Sequence, residues 1–303
     1  MTIRRIAAID LGTNTARLLI ADRFADGSFN QICLMRSIIR LGGGFCKEKG
    51  LAEDAIERAR CCLAEFATAI QTHGATVTHA VATSAVRDAA NGSRLVSRIA
   101  EDTGIRLGVI DGLTEGTITL SGVLSGLDEQ PEQILMFDVG GGSTEYTVAR
   151  GGHPIFVHSL PLGVVRLTEG KPDVDAIQDK IRRELQNLTA LMEQQQIVIS
   201  PDTLLVGTAG TATTLAAISL EMEEYDYRKV NNHMLSREEI QSIYTRLSGM
   251  SPLERLQVVG MEKGREDLII AGSLITLLTM EQFKSSSIKV SDYGLLEGLV
   301  VSH

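Results

Sequence analysis

Asp138-Val139-Gly140-Gly141-Gly142-Ser143-Thr144-Glu145 lies between an apolar run, residues 134–137, and an alternating run, residues 146–149. That pattern predicts strand, tight turn, strand. Three successive glycines allow φ > 0 and a close backbone approach, with amide N–H groups available to line an anion site. Ser143 and Thr144 add hydroxyls, and Asp138 and Glu145 bracket the turn with carboxylates. Carboxylates beside a phosphate repel it unless a cation lies between them. Mg²⁺ takes carboxylate and phosphate oxygens together and keeps several waters. Three glycines alone describe a bare hairpin; the bracketing acids make a phosphate–metal site the better reading.

The same turn occurs earlier in the chain. Asp10-Leu11-Gly12-Thr13-Asn14-Thr15-Ala16-Arg17-Leu18-Leu19-Ile20-Ala21 aligns without gaps on residues 138–149. Asp10 matches Asp138, Gly12 matches Gly140 and Thr15 matches Ser143, while Arg17 takes the position of Glu145. Two copies of one unit predict two related lobes whose turns face each other across a cleft. Gly12, Thr13, Asn14 and Thr15, with Gly140, Gly141, Gly142, Ser143 and Thr144, are then phosphate-binding. A third anion-ready turn follows an apolar strand at Gly207-Thr208-Ala209-Gly210-Thr211 and opens a helix. Gly210 and Thr211 are its candidates; it lacks the GK[ST] of a P-loop and the GxGxxG of a dinucleotide fold.

At 303 residues the chain predicts two domains, residues 1–124 and 125–292, with a closing helix over 293–303 that packs on the first. A net charge of −9, no Lys/Arg-rich run and only 4% aromatic residues exclude nucleic acid as the main partner. The longest apolar run, residues 268–280, is too short to span a bilayer, and Arg4 and Arg5 precede an apolar run that Asp10 interrupts, so neither membrane nor signal segment is expected. Cys33, Cys46, Cys61 and Cys62 form no CxxC pair, which suits a reducing cytoplasm.

Three arginines stand next to small-residue turns and are candidates to fork onto phosphate oxygens: Arg17, Arg87 and Arg265, with Arg40 and Arg166 as weaker cases. Residues 105–110 read as a strand running into Gly112-Leu113-Thr114-Glu115, the start of a helix. Phosphoanhydride hydrolysis needs a base to orient water, and Glu115 is the candidate; spacing alone would make it a helix N-terminal acid favoured by the dipole. Asp10, Asp138 and Glu145 are placed for the metal. Leu41-Gly42-Gly43-Gly44 is a further glycine loop with no acid or hydroxyl, equally readable as a plain connection.

These segments together resemble the exopolyphosphatase/guanosine pentaphosphate phosphohydrolase family, of the actin-like, sugar-kinase-like and Hsp70-like ATPase superfamily. The resemblance runs through DLGTNTARLLI from Asp10, ATSAVRDAAN from Ala82, GLTEG from Gly112, DVGGGSTE from Asp138, GTAGTATTLAA from Gly207, GREDLIIAG from Gly264 and SDYGLLEGLV from Ser291. It implies an α/β fold of two ribonuclease-H-like lobes with the active site between them. It also implies Glu115 as catalytic glutamate, Asp10, Asp138 and Glu145 as the acids around Mg²⁺, and Arg17, Arg87 and Arg265 as phosphate contacts. Family members usually carry an acid before that glutamate and alanine after it, where this chain has Thr114 and Gly116. The expected activity is release of terminal phosphate from polyphosphate, guanosine pentaphosphate or both. A homodimer across a two-fold would lengthen the substrate track. A sugar or acid kinase using ATP, and a non-catalytic polyphosphate or alarmone sensor, are the alternatives.

Overall fold

Period-two burial sorts the side chains of the first two strands onto two faces. Ala7, Ile9 and Leu11 of β1 (Arg4–Leu11) share one core with Ala16, Leu18 and Ile20 of β2 (Thr15–Arg23), while Ala8, Leu19 and Ala21 pack in another. The structure is a computed structural model that describes residues 3–45, 49–171 and 173–302; Cys46 lies outside the described residues. The chain forms two units, Met1–Ser125 with Gly294–His303, and Gly126–Tyr293.

Unit 1 continues through β3 (Phe29–Ile38), α1 (Glu53–His73), β4 (Val77–Ala82), α2 (Ser84–Arg87), α3 (Gly92–Thr103), β5 (Gly108–Val109) and α4 (Gly112–Gly126). Unit 2 holds β6 (Gln133–Val139), β7 (Thr144–Arg150), β8 (His153–Leu160), α5 (Val164–Gly170), α6 (Val174–Gln194), β9 (Leu204–Thr208) and α7 (Ala209–Ser219). It goes on with α8 (Tyr227–Val230), β10 (Met234–Ser236), α9 (Arg237–Ser248), α10 (Pro252–Arg255), α11 (Ile269–Gln282) and β11 (Ser287–Ser291). The chain then returns to unit 1 as α12 (Leu295–Val301).

The two sheets share one plan. Unit 1 orders its strands β3-β2-β1-β4-β5, and unit 2 orders them β8-β7-β6-β9-β11 with β10 added at the edge. In each, an antiparallel hairpin (β1–β2 or β6–β7) is extended on its first strand by a parallel neighbour, β4 or β9. This is the ribonuclease-H-like arrangement in duplicate, and the repeated turn is the tip of the first hairpin in both copies.

One strand is shorter than its sequence pattern. The reading over residues 105–110 reduces to β5, since only Val81↔Gly108 and Ala82↔Val109 pair with β4. Ile105 and Leu107 are buried in the core without a ladder partner, and their burial supplied the alternation. The apolar segment near the C-terminus is α11, apolar on every side because residues 269–280 are all buried. Among the described residues no helix is long and apolar enough to cross a membrane. Cys62 of α1 is core, and burial pushes its thiol pKa up.

Candidate active site

Ligands of open α/β sheets bind beyond the carboxyl ends of the strands. In unit 1 the turn 12–14 follows β1, Ser84 and Arg87 follow β4, and Asp111 and Glu115 follow β5. In unit 2 the turn 140–143 follows β6 and Gly210 follows β9.

The two aligned turns close alike: Gly12 N–H donates to the Thr15 carbonyl at 3.1 Å, and Gly140 N–H to the Ser143 carbonyl at 3.0 Å. A second layer of backbone then draws the turn carbonyls back. The Thr13 carbonyl accepts from Gly42 N–H at 2.8 Å, and the Asn14 carbonyl from Ile39 and Arg40 N–H at 3.0 and 2.9 Å. In unit 2 Val164 N–H donates to the Gly140 carbonyl at 3.0 Å, and Val165 and Arg166 N–H to the Gly141 carbonyl at 2.9 and 3.2 Å. With those carbonyls engaged, the amides of Thr13, Asn14, Gly141 and Gly142 donate to no group among the described residues. Successive unused N–H groups of this kind form an anion nest. The glycine loop 41–44 is therefore a brace for the first nest. The start of α5, where the sequence offered only Arg166 as a weak phosphate candidate, braces the second.

Gly163 shows how closely that brace fits. A Cβ there would lie 2.2 Å from the Gly141 carbonyl oxygen and from the Gly142 carbonyl carbon, both backbone atoms that can yield only by moving the turn. Gly163→Ala is expected to lower kcat/KM on the order of 10²-fold, the usual effect of an ångström-scale misplacement. Steady-state phosphate release beside a thermal melt checks this; a folded variant within threefold of the parent removes the brace from the argument.

The rung below each turn carries opposite chemistry. In unit 1 Asp10 pairs across the ladder with Arg17, whose Nη2 and Nε donate to Asp10 Oδ2 at 2.7 and 3.1 Å. Arg17, expected on phosphate, is thus held by Asp10. In unit 2 the same rung sets Asp138 against Glu145, 8% and 1% exposed, with Ser159 Oγ donating to Glu145 Oε1 at 2.7 Å. Like charges directly opposite are unfavourable in a sheet, and a cation held at this rung would offset that repulsion. Among the described residues no three His, Cys, Asp or Glu side chains cluster as a metal site. A two-carboxylate, all-oxygen donor set fits Mg²⁺, which takes one or two carboxylates and completes its shell with phosphate and water.

Glu115 is buried at 8% exposure in the first turn of α4, its N–H on the Asp111 carbonyl at 2.9 Å. Asp111 also caps Thr114 N–H at 2.8 Å, and that amide, the Thr114 hydroxyl and the Arg87 charge hold its carboxyl below the usual range. Thr114 itself is exposed. Arg87 Nη1 donates to the Ile110 carbonyl at 2.9 Å and stands 3.6 Å from Glu115 Oε2. At the other end of the same short helix, Ser84 Oγ hydrogen-bonds Thr13 Oγ1 at 3.0 Å. One helical turn, α2, thereby links the first nest to Glu115. Ser84 and Asp111 were not singled out in the sequence; a hydroxyl after β4 and an acid three residues before Thr114 were the available signs.

Several other candidates are committed elsewhere. Thr144 donates its hydroxyl to the Leu162 carbonyl at 2.5 Å, joining the brace. Thr211 packs its side chain on α11, with Oγ1 2.5 Å from where a Cβ on Gly272 would stand. Arg265, 9% exposed, lays its guanidinium on the first turn of α7, 1.9 Å from a Cβ built on Gly210, and donates Nε to Glu262 at 2.5 Å. Ala209, immediately before Gly210, adopts φ +63, a left-handed conformation that costs a non-glycine residue and clusters at functional sites. Gly12, Thr15, Gly140 and Ser143 sit in the paired turns as read.

A model of the Ppx/GppA phosphatase family matches residues 20–303. The chain is 30% identical over 320 residues to Exopolyphosphatase 2 of Mycobacterium tuberculosis, across 100% of this chain and 99% of that protein. It is 31% identical over 310 residues, 97% of its length, to the bifunctional 3-dehydroquinate synthase/phosphatase of Fusobacterium nucleatum, of which it spans 46%. The crystal structure of the Aquifex aeolicus member of the Ppx/GppA protein family superimposes with a TM-score of 0.81 at 32% identity, covering 99% of this chain and 97% of that one.

Proposed function

The chain belongs to the Ppx/GppA phosphatase family, and from that premise we propose that it hydrolyses the terminal phosphoanhydride bond of inorganic polyphosphate, of guanosine pentaphosphate, or of both. The observation that carries this reading is the pair of braced anion nests with a buried glutamate tied to one of them through α2. Nest amides bind phosphate oxygens, and Arg87 adds positive charge beside Glu115. Glu115 accepts a proton from water as the water oxygen bonds to the terminal phosphorus. The bridging P–O bond breaks, its electron pair stays on the shortened chain or nucleotide, and orthophosphate leaves. Mg²⁺, held by Asp138 and Glu145, would neutralise phosphate charge when bound. The names of relatives, Exopolyphosphatase 2 and Exopolyphosphatase 1, support polyphosphate as the substrate in this reading. Phosphate release from polyphosphate and from guanosine pentaphosphate, assayed side by side with Mg²⁺, tests the reading. Release from neither, with ATP-dependent phosphorylation of a sugar, would replace it by the kinase alternative.

Substrate length gives a further expectation. Holding a long polyphosphate along many subunits requires a basic track, and the chain has a net charge of −9 and no basic run. With Arg17, Arg87 and Arg265 all counted as contacts, the salt dependence by analogy with nucleic acids is at most a log–log slope of roughly −2 to −3, and the pairing of Arg17 with Asp10 and of Arg265 with Glu262 makes it shallower. Long chains should then bind little better than short ones, and hydrolysis should be distributive. Product analysis partway through digestion should show shortened intermediates. Full-length chain coexisting with free phosphate alone would show processive action and a track not recognised among these residues.

A further inference from the structure

The side chain of Asn14 is 6% exposed, yet neither its Oδ1 nor its Nδ2 has a hydrogen-bond partner among the described residues. Asparagine in a turn ordinarily satisfies itself on nearby backbone, and a buried amide left unpaired costs stability and calls for an explanation. The turn itself does not require this side chain. Its counterpart in unit 2 is Gly142, and that turn closes with the same Gly-to-hydroxyl-residue bond, 3.0 Å against 3.1 Å. Neighbouring Thr13 spends its hydroxyl on Ser84, the first residue of α2, whose last residue, Arg87, stands 3.6 Å from Glu115. Asn14 is thus a polar group placed beside a nest, paid for in stability, and joined through one helical turn to the candidate base.

An amide offers a donor and an acceptor together. Ionised phosphate oxygens only accept, so a phosphate alone satisfies Nδ2 and leaves Oδ1 unpaired. Water supplies the missing donor. We propose that Asn14 orients the hydrolytic water, Nδ2 donating to a terminal phosphoryl oxygen and Oδ1 accepting one water hydrogen; this rests on the hydrolase reading above. Glu115 accepts the other hydrogen, and with both hydrogens directed the water lone pair points at phosphorus. As the new P–O bond forms, the first proton passes to Glu115, and the second stays on the oxygen and departs with orthophosphate. The bridging bond breaks with its electrons on the leaving chain. Asn14 is neither acid nor base in this step. It fixes the angle of attack, as a water-positioning amide does in other phosphoryl transfers.

Asn14→Gly is the test, because it reproduces the residue that the second turn already tolerates. Expected are a fall in kcat on the order of 10²-fold, a KM for tripolyphosphate within about threefold of the parent, and a melting temperature unchanged or raised, since an unpaired buried amide has been removed. Asn14→Ala, measured the same way, guards against an effect of added backbone freedom. A raised KM with kcat intact would make Asn14 a phosphate anchor only, and a lowered melting temperature with proportionate loss of activity would make it structural; either overturns the proposal. If the parent is active and both variants keep its kcat, this inference falls while the hydrolase reading stands. A parent that releases no phosphate from polyphosphate or guanosine pentaphosphate removes the reading first.

Discussion

Glu115→Gln is expected to lower turnover by ~10²–10⁴-fold, the usual worth of a general base, with folding and anion binding retained. The geometry makes the substitution a clean one. Glu115 is fixed by its backbone amide on the Asp111 carbonyl, and Arg87 is held independently by the Ile110 carbonyl, so neither anchor depends on the carboxylate. A glutamine of the same shape keeps an oxygen toward Arg87 Nη1, 3.6 Å away in the parent, but has no basic oxygen to take a proton. An acid in a first helical turn also has a plainer role against the dipole, worth about 0.3–1 kcal/mol. The two roles separate in one experiment pairing phosphate release with denaturant unfolding. A large rate loss with little stability loss assigns the base. Turnover within threefold of the parent, with a small loss of stability, returns Glu115 to the helix start.

The parts of the molecule legible in the sequence are those whose information is local. Both hairpin tips could be read because Asp, glycine and hydroxyl lie within a few residues of one another, between runs of period two. Their alignment set Arg17 at the position of Glu145, and the strand registers place these two on matching rungs, opposite Asp10 and Asp138. Arg17 turning onto Asp10 follows from that register, although the sequence reading aimed it at phosphate. What escaped lies in contacts over distance. Gly163 meets the turn some twenty residues before it, Gly42 meets Thr13 from the far side of β3, and Ser84 reaches Thr13 across seventy-one positions. Single-turn elements such as α2 and α10 are too short for helical periodicity. The unpaired amide of Asn14 could not be read at all, since only packing shows that a side chain is buried without a partner.

Removing divalent metal is expected to stop phosphate release, and restoring Mg²⁺ to recover it. Asp138 and Glu145 stand directly opposite on β6 and β7, both buried, with Ser159 fixing one Glu145 oxygen. Their oxygen donors suit a hard cation, and Mg²⁺ demands a tighter geometry than Ca²⁺. Ca²⁺ is therefore expected to occupy the pair and give little turnover. Activity alone does not locate the metal, so binding must be read separately. A ligand that binds only the folded state at a hundred times its Kd stabilises by about 2.7 kcal/mol, and Mg²⁺ should raise the melting temperature accordingly. Asp138→Asn removes one charge from the rung at nearly constant volume and should abolish most of that shift together with turnover. Glu115→Gln, in the other unit, should lose turnover and keep the shift. That contrast separates the metal pair from the base. Phosphate release that survives exhaustive EDTA treatment would remove Mg²⁺ from the reaction, and an undiminished Mg²⁺ shift in Asp138→Asn would move the cation away from this rung.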